Sequence, residues 1–271
     1  MEEYKGKYLY HYTTVESLAL ILNNKTMRFS SLENVDDLEE VEALDLKDYG
    51  KYWFIACYTQ NEDEEIPIWN MYSGNGSGIR IRFEANIFDD LNKQKDDVSD
   101  EINKEFKDRE KYDVEFENKP YNVDYTIVEE KICSKILKEE ICYIVDENGN
   151  HLVDENENHI VTEMQTKDFS CIGVCKRACW NFQKEVRYRL HIEPKSNEQL
   201  YQKQEKLPDL PIRYYDMPIK ESILNNAVIT LGYNISAGNA VIVNMLVEKY
   251  NQENKANIII DKSELKIRPK Y

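Results

Sequence analysis

Apolar residues along this chain alternate between a period of two and a period of three to four, the signature of interleaved strands and helices. Residues 8–12, YLYHY, are aromatic and β-prone; Thr13 stands three residues before Glu16, a capping-box spacing, and Val15, Leu18, Ala19 and Leu22 follow at i, i+3, i+4 and i+7. The expected unit is a strand that delivers His11 to the N-terminus of an amphipathic helix capped by Thr13. MRFSS at 27–31 reads as a second short strand, residues 32–50 as a loop leading into an acidic helix, and KYWFIACYT at 51–59 as a buried strand. Pro67 starts one or two helical turns, a GNGSG loop follows, and Ile79, Ile81 and Phe83 then alternate with Arg80 and Arg82. That last pattern predicts a half-buried strand with a basic outer face.

Residues 89–118 are dense in charge and poor in apolar side chains, which predicts a solvated helix, a long loop or another excursion from the fold. DENGNHLV at 146–153 is followed directly by DENENHIV, a tandem near-repeat expected to form a β-hairpin insertion near 142–162. A helix is expected over 165–182, a strand over 184–192, a short strand at 211–215, and alternating helix and strand segments to the end. Strand and helix signals interleave throughout, and no linker rich in Gly, Pro or Ser divides them. The reading is one α+β domain over 1–271, with a mixed or antiparallel central sheet and flanking helices.

Charge narrows the function. The 271 residues carry 51 acidic against 35 basic side chains, a net charge of -16, which disfavours nonspecific attraction to phosphate backbones and anionic membranes. No apolar stretch is long enough to span a membrane and the first residues lack the form of a secretory signal, so a cytoplasmic location is expected. The six cysteines are then read as free thiols. Cys171, Cys175 and Cys179 recur every four residues and are expected to form a small packing stripe on one helix face; their spacing matches no common metal signature, and no metal is expected.

On the strand 184–192, Val186, Tyr188, Leu190 and Ile192 share one face and Glu185, Arg187, Arg189 and His191 the other. A carboxylate flanked by arginines stays ionised and suits a stabiliser of positive charge, while the arginines can grip a phosphate; the plainer reading is a charge ladder on an exposed sheet face. His11 enters a helix N-terminus, where free N–H groups favour an anionic or hydroxyl-rich ligand, or else it is simply hydrogen-bonded among Tyr8, Tyr10 and Tyr12. Trp69 and Tyr72, three apart before the GNGSG loop, form either a stacking wall for a planar ring or part of the core.

The order of these segments resembles the prokaryotic family catalogued as domain of unknown function 2971. LYHYTTVESLALILNNKTMRFS at 9–30 matches its opening strand, helix and strand; NVDDLEE at 34–40 matches its Asn-Asp loop in part. Trp69 and Tyr72 before GNGSGIRIRF match its W-x-x-Y, and WNFQKEVRYR matches its W-x-x-E-x-E-x-R element with Gln183 in place of the first acid. An early His on a strand, an aromatic wall and a late Glu on a strand also resemble, more loosely, the ADP-ribosyltransferase fold. That likeness implies NAD as substrate, with His11 on the ribose, the Tyr12 backbone on the carboxamide, Thr13 beside them, and Trp69 or Tyr72 stacked on the nicotinamide. It implies Arg28, Arg80 or Arg187 on the pyrophosphate, and Glu185 with His11 in the catalytic role.

The implied activity is that of an NAD-dependent ADP-ribosyltransferase-like bacterial toxin or antiphage effector. It would act on a macromolecular acceptor, protein or nucleic acid, away from membranes and under an antitoxin or regulatory protein. Two further classes stay open: a nucleotide- or protein-binding module without turnover, and a metal-independent nuclease using His11 with an arginine, against which the net charge weighs.

Overall fold

The computed structural model describes residues 1–89, 112–143, 151–152, 161–195 and 207–267. It is mixed α+β, with a mostly antiparallel sheet. The strands are β1 (Glu2–Glu3), β2 (Tyr8–Thr13), β3 (Thr26–Ser31), β4 (Trp53–Thr59), β5 (Ile79–Glu84), β6 (Tyr112–Asn122), β7 (Asp124–Thr126), β8 (Leu137–Tyr143), β9 (Val161–Lys167), β10 (Cys175–Arg177), β11 (Glu185–Pro194), β12 (Tyr214–Pro218), β13 (Val228–Leu231) and β14 (Ile259–Lys262). The helices are α1 (Val15–Asn24), α2 (Ile66–Tyr72), α3 (Glu129–Ile132), α4 (Glu221–Leu224) and α5 (Ala237–Asn254).

Ten strands form one sheet, in the order β1-β6-β11-β4-β2-β5-β13-β14, with β3 and β12 on a side branch. The branching matters most. Along one edge β4 pairs with β11 throughout, from Glu185 opposite Thr59 to His191 opposite Trp53. Along the other edge it meets β2 only at Tyr10–Thr59 and β3 only at Ser30–Ile55 and Ser31–Phe54. β2 and β3 therefore diverge like the arms of a fork, with residues 56–58 of β4 at its base and α1 joining the arms.

The largest apolar cluster lies on one face of the sheet. There Val15, Leu18, Ile21 and Leu22 of α1 and Val243, Val247 and Tyr250 of α5 belong to one cluster with Val186, Tyr188, Leu190 and Ile192 of β11. Each such side chain contributes about 1.5–3 kcal/mol by leaving water, so the alternation of β11 is enough to fix its register. On the opposite face Leu32, Tyr49, Tyr52, Trp53, Ile55 and Ile172 form a second cluster, and Tyr10, Tyr12, Ile68 and Trp69 a third.

Several expectations are corrected. The cap of α1 is Thr14, whose side chain accepts from the Ser17 N–H at 3.2 Å, while Thr13 closes β2. The region after β3 forms three short 3-10 turns, Leu32–Asn34, Leu38–Val41 and Tyr49–Tyr52, where an acidic helix was expected. Asp37 caps the start of the second turn by accepting from the Glu39 N–H.

No helix spans 165–182. β9, a turn at 171–174, β10 and a 3-10 segment Ala178–Gln183 occupy it, so the three cysteines share no helix face. The strand expected at 211–215 lies at Tyr214–Pro218. Within the charged stretch 89–118, residues from Tyr112 onward belong to β6, inside the sheet between β1 and β11; residues 90–111 lie outside the described residues. β8 and β9 pair antiparallel with Tyr143 opposite Val161, flanking the near-repeat, most of which lies outside the described residues.

Candidate functional site

The fork opens into a cleft of about 350 Å³. Its walls bring together His11, Tyr12 and Thr13 from β2, Arg28 from β3, Cys57 from β4, Tyr72 from the end of α2, and Glu185 and Arg187 from the start of β11. Of the residues singled out from the sequence, Trp69 and Arg80 stand apart from these walls. Trp69 is fully buried in the third cluster, edge-on to Tyr12 at 4.8 Å, with its indole N–H donating to Glu64. Arg80 lies over the Tyr10 and Tyr12 rings at 4.8 and 5.8 Å and donates to the Glu62 carbonyl at 2.7 Å. The GNGSG loop is likewise spent on packing: the Gly78 and Gly76 carbonyls accept from the Gly232 and Asn234 N–H groups at 2.9 Å. A side chain at Gly78 would collide with the Thr13 carbonyl oxygen, so glycine there lets β2 and the loop touch.

His11 is held by the fork itself. Its Nδ1 lies 3.0 Å from the Cys57 carbonyl oxygen, within the part of β4 that has no neighbour on that edge. A carbonyl only accepts, so Nδ1 carries the proton; burial lowers the ring's pKa, which leaves Nε2 as a neutral acceptor.

Glu185 belongs to a buried ionic network, not to an exposed charge ladder: all of β11 is buried on both faces. Arg187, about 1% exposed, donates from Nη2 to Glu185 Oε2 at 2.9 Å and to Glu40 Oε1 at 3.1 Å. Its Nη1 contacts Glu40 Oε2 and donates to the Gly173 carbonyl at 2.9 Å. Lys176 reaches Glu40 Oε1 at 3.3 Å, Glu185 Oε2 at 3.4 Å and Gln183 Oε1 at 2.9 Å. Two carboxylates thus face two cations. Burial alone would raise the Glu185 pKa, but the pull of Arg187 and Lys176, with hydrogen bonds from Arg187 and the Cys57 thiol, outweighs it and holds the carboxyl below its ordinary range. Glu185 is therefore an anion at neutral pH and a poor proton acceptor. Burial, then the neighbouring Glu185 carboxylate, pushes the Cys57 thiol well up, so it stays protonated.

A relay links this network to the cleft mouth. The Lys176 ammonium only donates, so Gln183 turns its oxygen to Lys176 and its Nε2 to the Tyr72 hydroxyl, 2.6 Å away. Burial, with the Glu185 and Asp36 carboxylates adding to it, keeps the Tyr72 phenol neutral. The Glu185 backbone N–H donates to the Tyr125 hydroxyl at 2.8 Å, fixing where β11 begins. On the same face, beyond the cleft, Arg189 binds Glu117 and the Phe169 and Ile172 carbonyls, and His191 stacks on Trp53 at 4.5 Å.

Sequence reasoning passed over Glu40, Lys176, Asp36 and Cys57, and treated Gln183 as the loss of an acid. Glu40 and Asp36 both lie in NVDDLEE, so the partial motif at 34–40 was the available signal. Among the described residues no group of three or more His, Cys, Asp or Glu side chains is arranged to hold a metal ion, and no helix is long and apolar enough to cross a membrane.

No curated protein and no solved structure matches the chain. Residues 68–188, which run from α2 through the Gln183, Glu185 and Arg187 end of the cleft, match the family described as "Protein of unknown function (DUF2971)", and this match supports the family likeness carried by the W-x-x-Y and W-x-x-E-x-E-x-R motifs.

Proposed function

We propose that the fork cleft binds NAD and breaks its nicotinamide–ribose bond, an ADP-ribosyltransferase-like activity of a cytoplasmic toxin or antiphage effector directed at a macromolecular acceptor. The observation that carries this reading is that His11, from the start of the chain, and Glu185, from its last third, share the walls of one cleft. When the bond breaks, its electron pair leaves with the nicotinamide nitrogen and positive charge develops on the ribosyl carbon. A carboxylate that stays ionised, as Glu185 does, stabilises that charge without taking a proton. The neutral His11 Nε2 is an acceptor for a ribose hydroxyl. Of the three arginines offered for the pyrophosphate, Arg28 and Arg187 line the cleft and Arg80 does not.

A second reading, a nucleotide-binding module without turnover, is favoured by one observation: Glu185 is already neutralised by Arg187 and Lys176. The experiment that separates the two is nicotinamide release from labelled NAD by wild type and Glu185→Gln, with lysate as acceptor source and circular dichroism to check folding. Release by wild type that drops about 30-fold in the variant, the worth of a carboxylate partly cancelled by its cations, supports the enzyme. No release, with NAD still raising the Tm, supports the module. No release and no shift removes NAD from the account.

A further inference from the structure

Polar groups in the cleft walls are unequal partners for a ligand, and their existing bonds decide which charge they accept. Arg28 donates from Nε and Nη2 to both Asp216 oxygens at 2.8 and 2.9 Å, and its plane lies 3.7 Å over the Tyr214 ring. Arg187 and Lys176 are bonded to Glu40 and Glu185 as described, and Lys176 also sits 4.6 Å over Trp180. A phosphate entering the cleft would have to displace a carboxylate from one of these cations. The carboxylates at and directly behind the wall are Asp36, Glu40, Glu185 and Asp216; the cations are Arg28, Lys176 and Arg187. Pairing them off leaves Asp36, which is exposed at the mouth and has no cation within bonding distance among the described residues.

The neutral groups have the same bias. Glu185 and Asp36 hold the proton on the Tyr72 hydroxyl, and the His11 Nδ1 proton is held by the Cys57 carbonyl, leaving Nε2 as a lone pair. Tyr10, Tyr12, Tyr58 and Tyr72 line the same cavity; Arg80 already lies over Tyr10 and Tyr12, and the rings of Tyr58 and Tyr72, over which no cation is placed among the described residues, are the ones that can attract a cation. The net charge of -16 adds a long-range field of the same sign.

We infer that the fork cleft selects a planar organic cation, such as an N-alkylpyridinium, and leaves any phosphate of its ligand outside the walls. This deepens the NAD reading by naming the half of the ligand that the cleft holds, yet it stands on wall charge alone and requires no turnover.

The test is isothermal titration of the full chain with a matched pair, 1-methylnicotinamide (a cation) and nicotinamide (neutral), and with nicotinamide riboside, AMP and ADP-ribose. The cation is expected to bind about tenfold tighter than its neutral twin, as cation–π contact and one carboxylate supply. Nicotinamide riboside should outbind AMP and ADP-ribose, and added salt should weaken the cations. Asp36→Asn, an exposed change outside the buried network, should lower cation affinity about three- to fivefold and leave nicotinamide unchanged.

Tighter binding of ADP-ribose or AMP than of the riboside, equal binding of the matched pair, unchanged cation affinity in Asp36→Asn, or binding of none of the probes would each overturn the inference. Failure of the catalytic reading looks different. A cation that binds while NAD is not cleaved leaves the inference standing, and NAD cleavage with ADP-ribose as the tightest ligand sinks it while leaving catalysis intact.

Discussion

Glu40→Gln isolates the buried network from everything around it. The side chain is about 6% exposed, faces Arg187 with both oxygens and Lys176 with one, and lies outside the cleft lining. In the native protein Glu40 and Glu185 balance Arg187 and Lys176. The glutamine keeps the shape and one acceptor but leaves a net positive charge on side chains that are about 1% and 3% exposed. Losing one charge-assisted hydrogen bond costs about 1.5–3 kcal/mol, and stripping a buried charge of its partner about 3–5 kcal/mol. The retained acceptor places the expectation near the join of those ranges, about 3 kcal/mol.

Urea unfolding followed by circular dichroism and tryptophan fluorescence measures this loss, with an unchanged slope confirming that both states keep their compactness. Glu3→Gln, which breaks the exposed Lys119 pair, is the control and should leave the midpoint within error. Glu40→Gln combined with Lys176→Gln restores neutrality, so the double variant should lose less than the sum of the two singles. If Glu40→Gln costs no more than Glu3→Gln, the charge-balance account of the network is wrong.

Three further outcomes are expected. Burial, followed by repulsion from Lys167 and Arg189, lowers His191 from 6.5 to about 3, so below pH 6.5 the unfolded chain takes up a proton that the native chain refuses. Stability should therefore fall as pH drops from 6.5, by up to about 1.4 kcal/mol per pH unit from His191. His11, also lowered, adds to the slope, whereas the depressed Glu185 carboxyl contributes only below its unfolded value of 4.5. Equal urea midpoints at pH 7 and pH 5.5 would refute this. Gly78→Ala, whose new Cβ overlaps the Thr13 carbonyl, should cost about 1–3 kcal/mol, while Gly238→Ala in the open first turn of α5 should gain up to about 1 kcal/mol by calorimetry. The neighbouring Cys175 thiol, against burial, lowers Cys171 to about 6, whereas Cys57 and Cys175 are pushed well up; iodoacetamide at pH 7 should alkylate Cys171 ahead of both, as read by peptide mass.

How far the sequence foretold this arrangement depends on how local each cause is. The faces of β11, the β2–α1 unit, β5 and the Pro67 helix follow from side-chain periodicity, which acts over a few residues, and the structure has them. The helix expected at 165–182 failed because a cysteine repeat of four imitates helical periodicity, while Gly173, at φ +67, forces the chain to turn there. Where an acidic helix was expected the chain instead makes three short 3-10 turns, the second begun by the Asp37 cap. Arg80 and Tyr72 looked equivalent as ligand contacts, yet α2 ends with Tyr72 in the cleft wall, whereas Arg80 on β5 lies over Tyr10 and Tyr12. The fork could not be read locally. It arises because β4 pairs with both β2 and β3 but with neither across 56–58, a fact about residues far apart in sequence. The network around Glu185 shares that origin: Lys176 reaches Glu185, and Glu40 reaches Arg187 and Lys176, only after the 3-10 region and β10 fold over the polar face of β11.

The network also bounds what Glu185 contributes to any reaction. At an effective dielectric of about 20, a cation about 4 Å from its carboxylate gains roughly 4 kcal/mol, and an arginine about 7 Å away takes back roughly 2 kcal/mol. The remainder is worth a factor of about 30 in rate or affinity, enough for selective binding and small for a glycosidic cleavage on its own. Arg187 and Lys176 therefore act in opposition: they keep Glu185 ionised, and they cancel part of the field that ionisation creates. Catalysis by this cleft requires the reacting carbon to lie closer to Glu185 than to either cation, whereas cation binding needs only Asp36 and the aromatic walls. Binding of a pyridinium thus needs fewer conditions than its cleavage, and the cleavage proposed for this cleft rests on how closely the ribosyl carbon approaches Glu185.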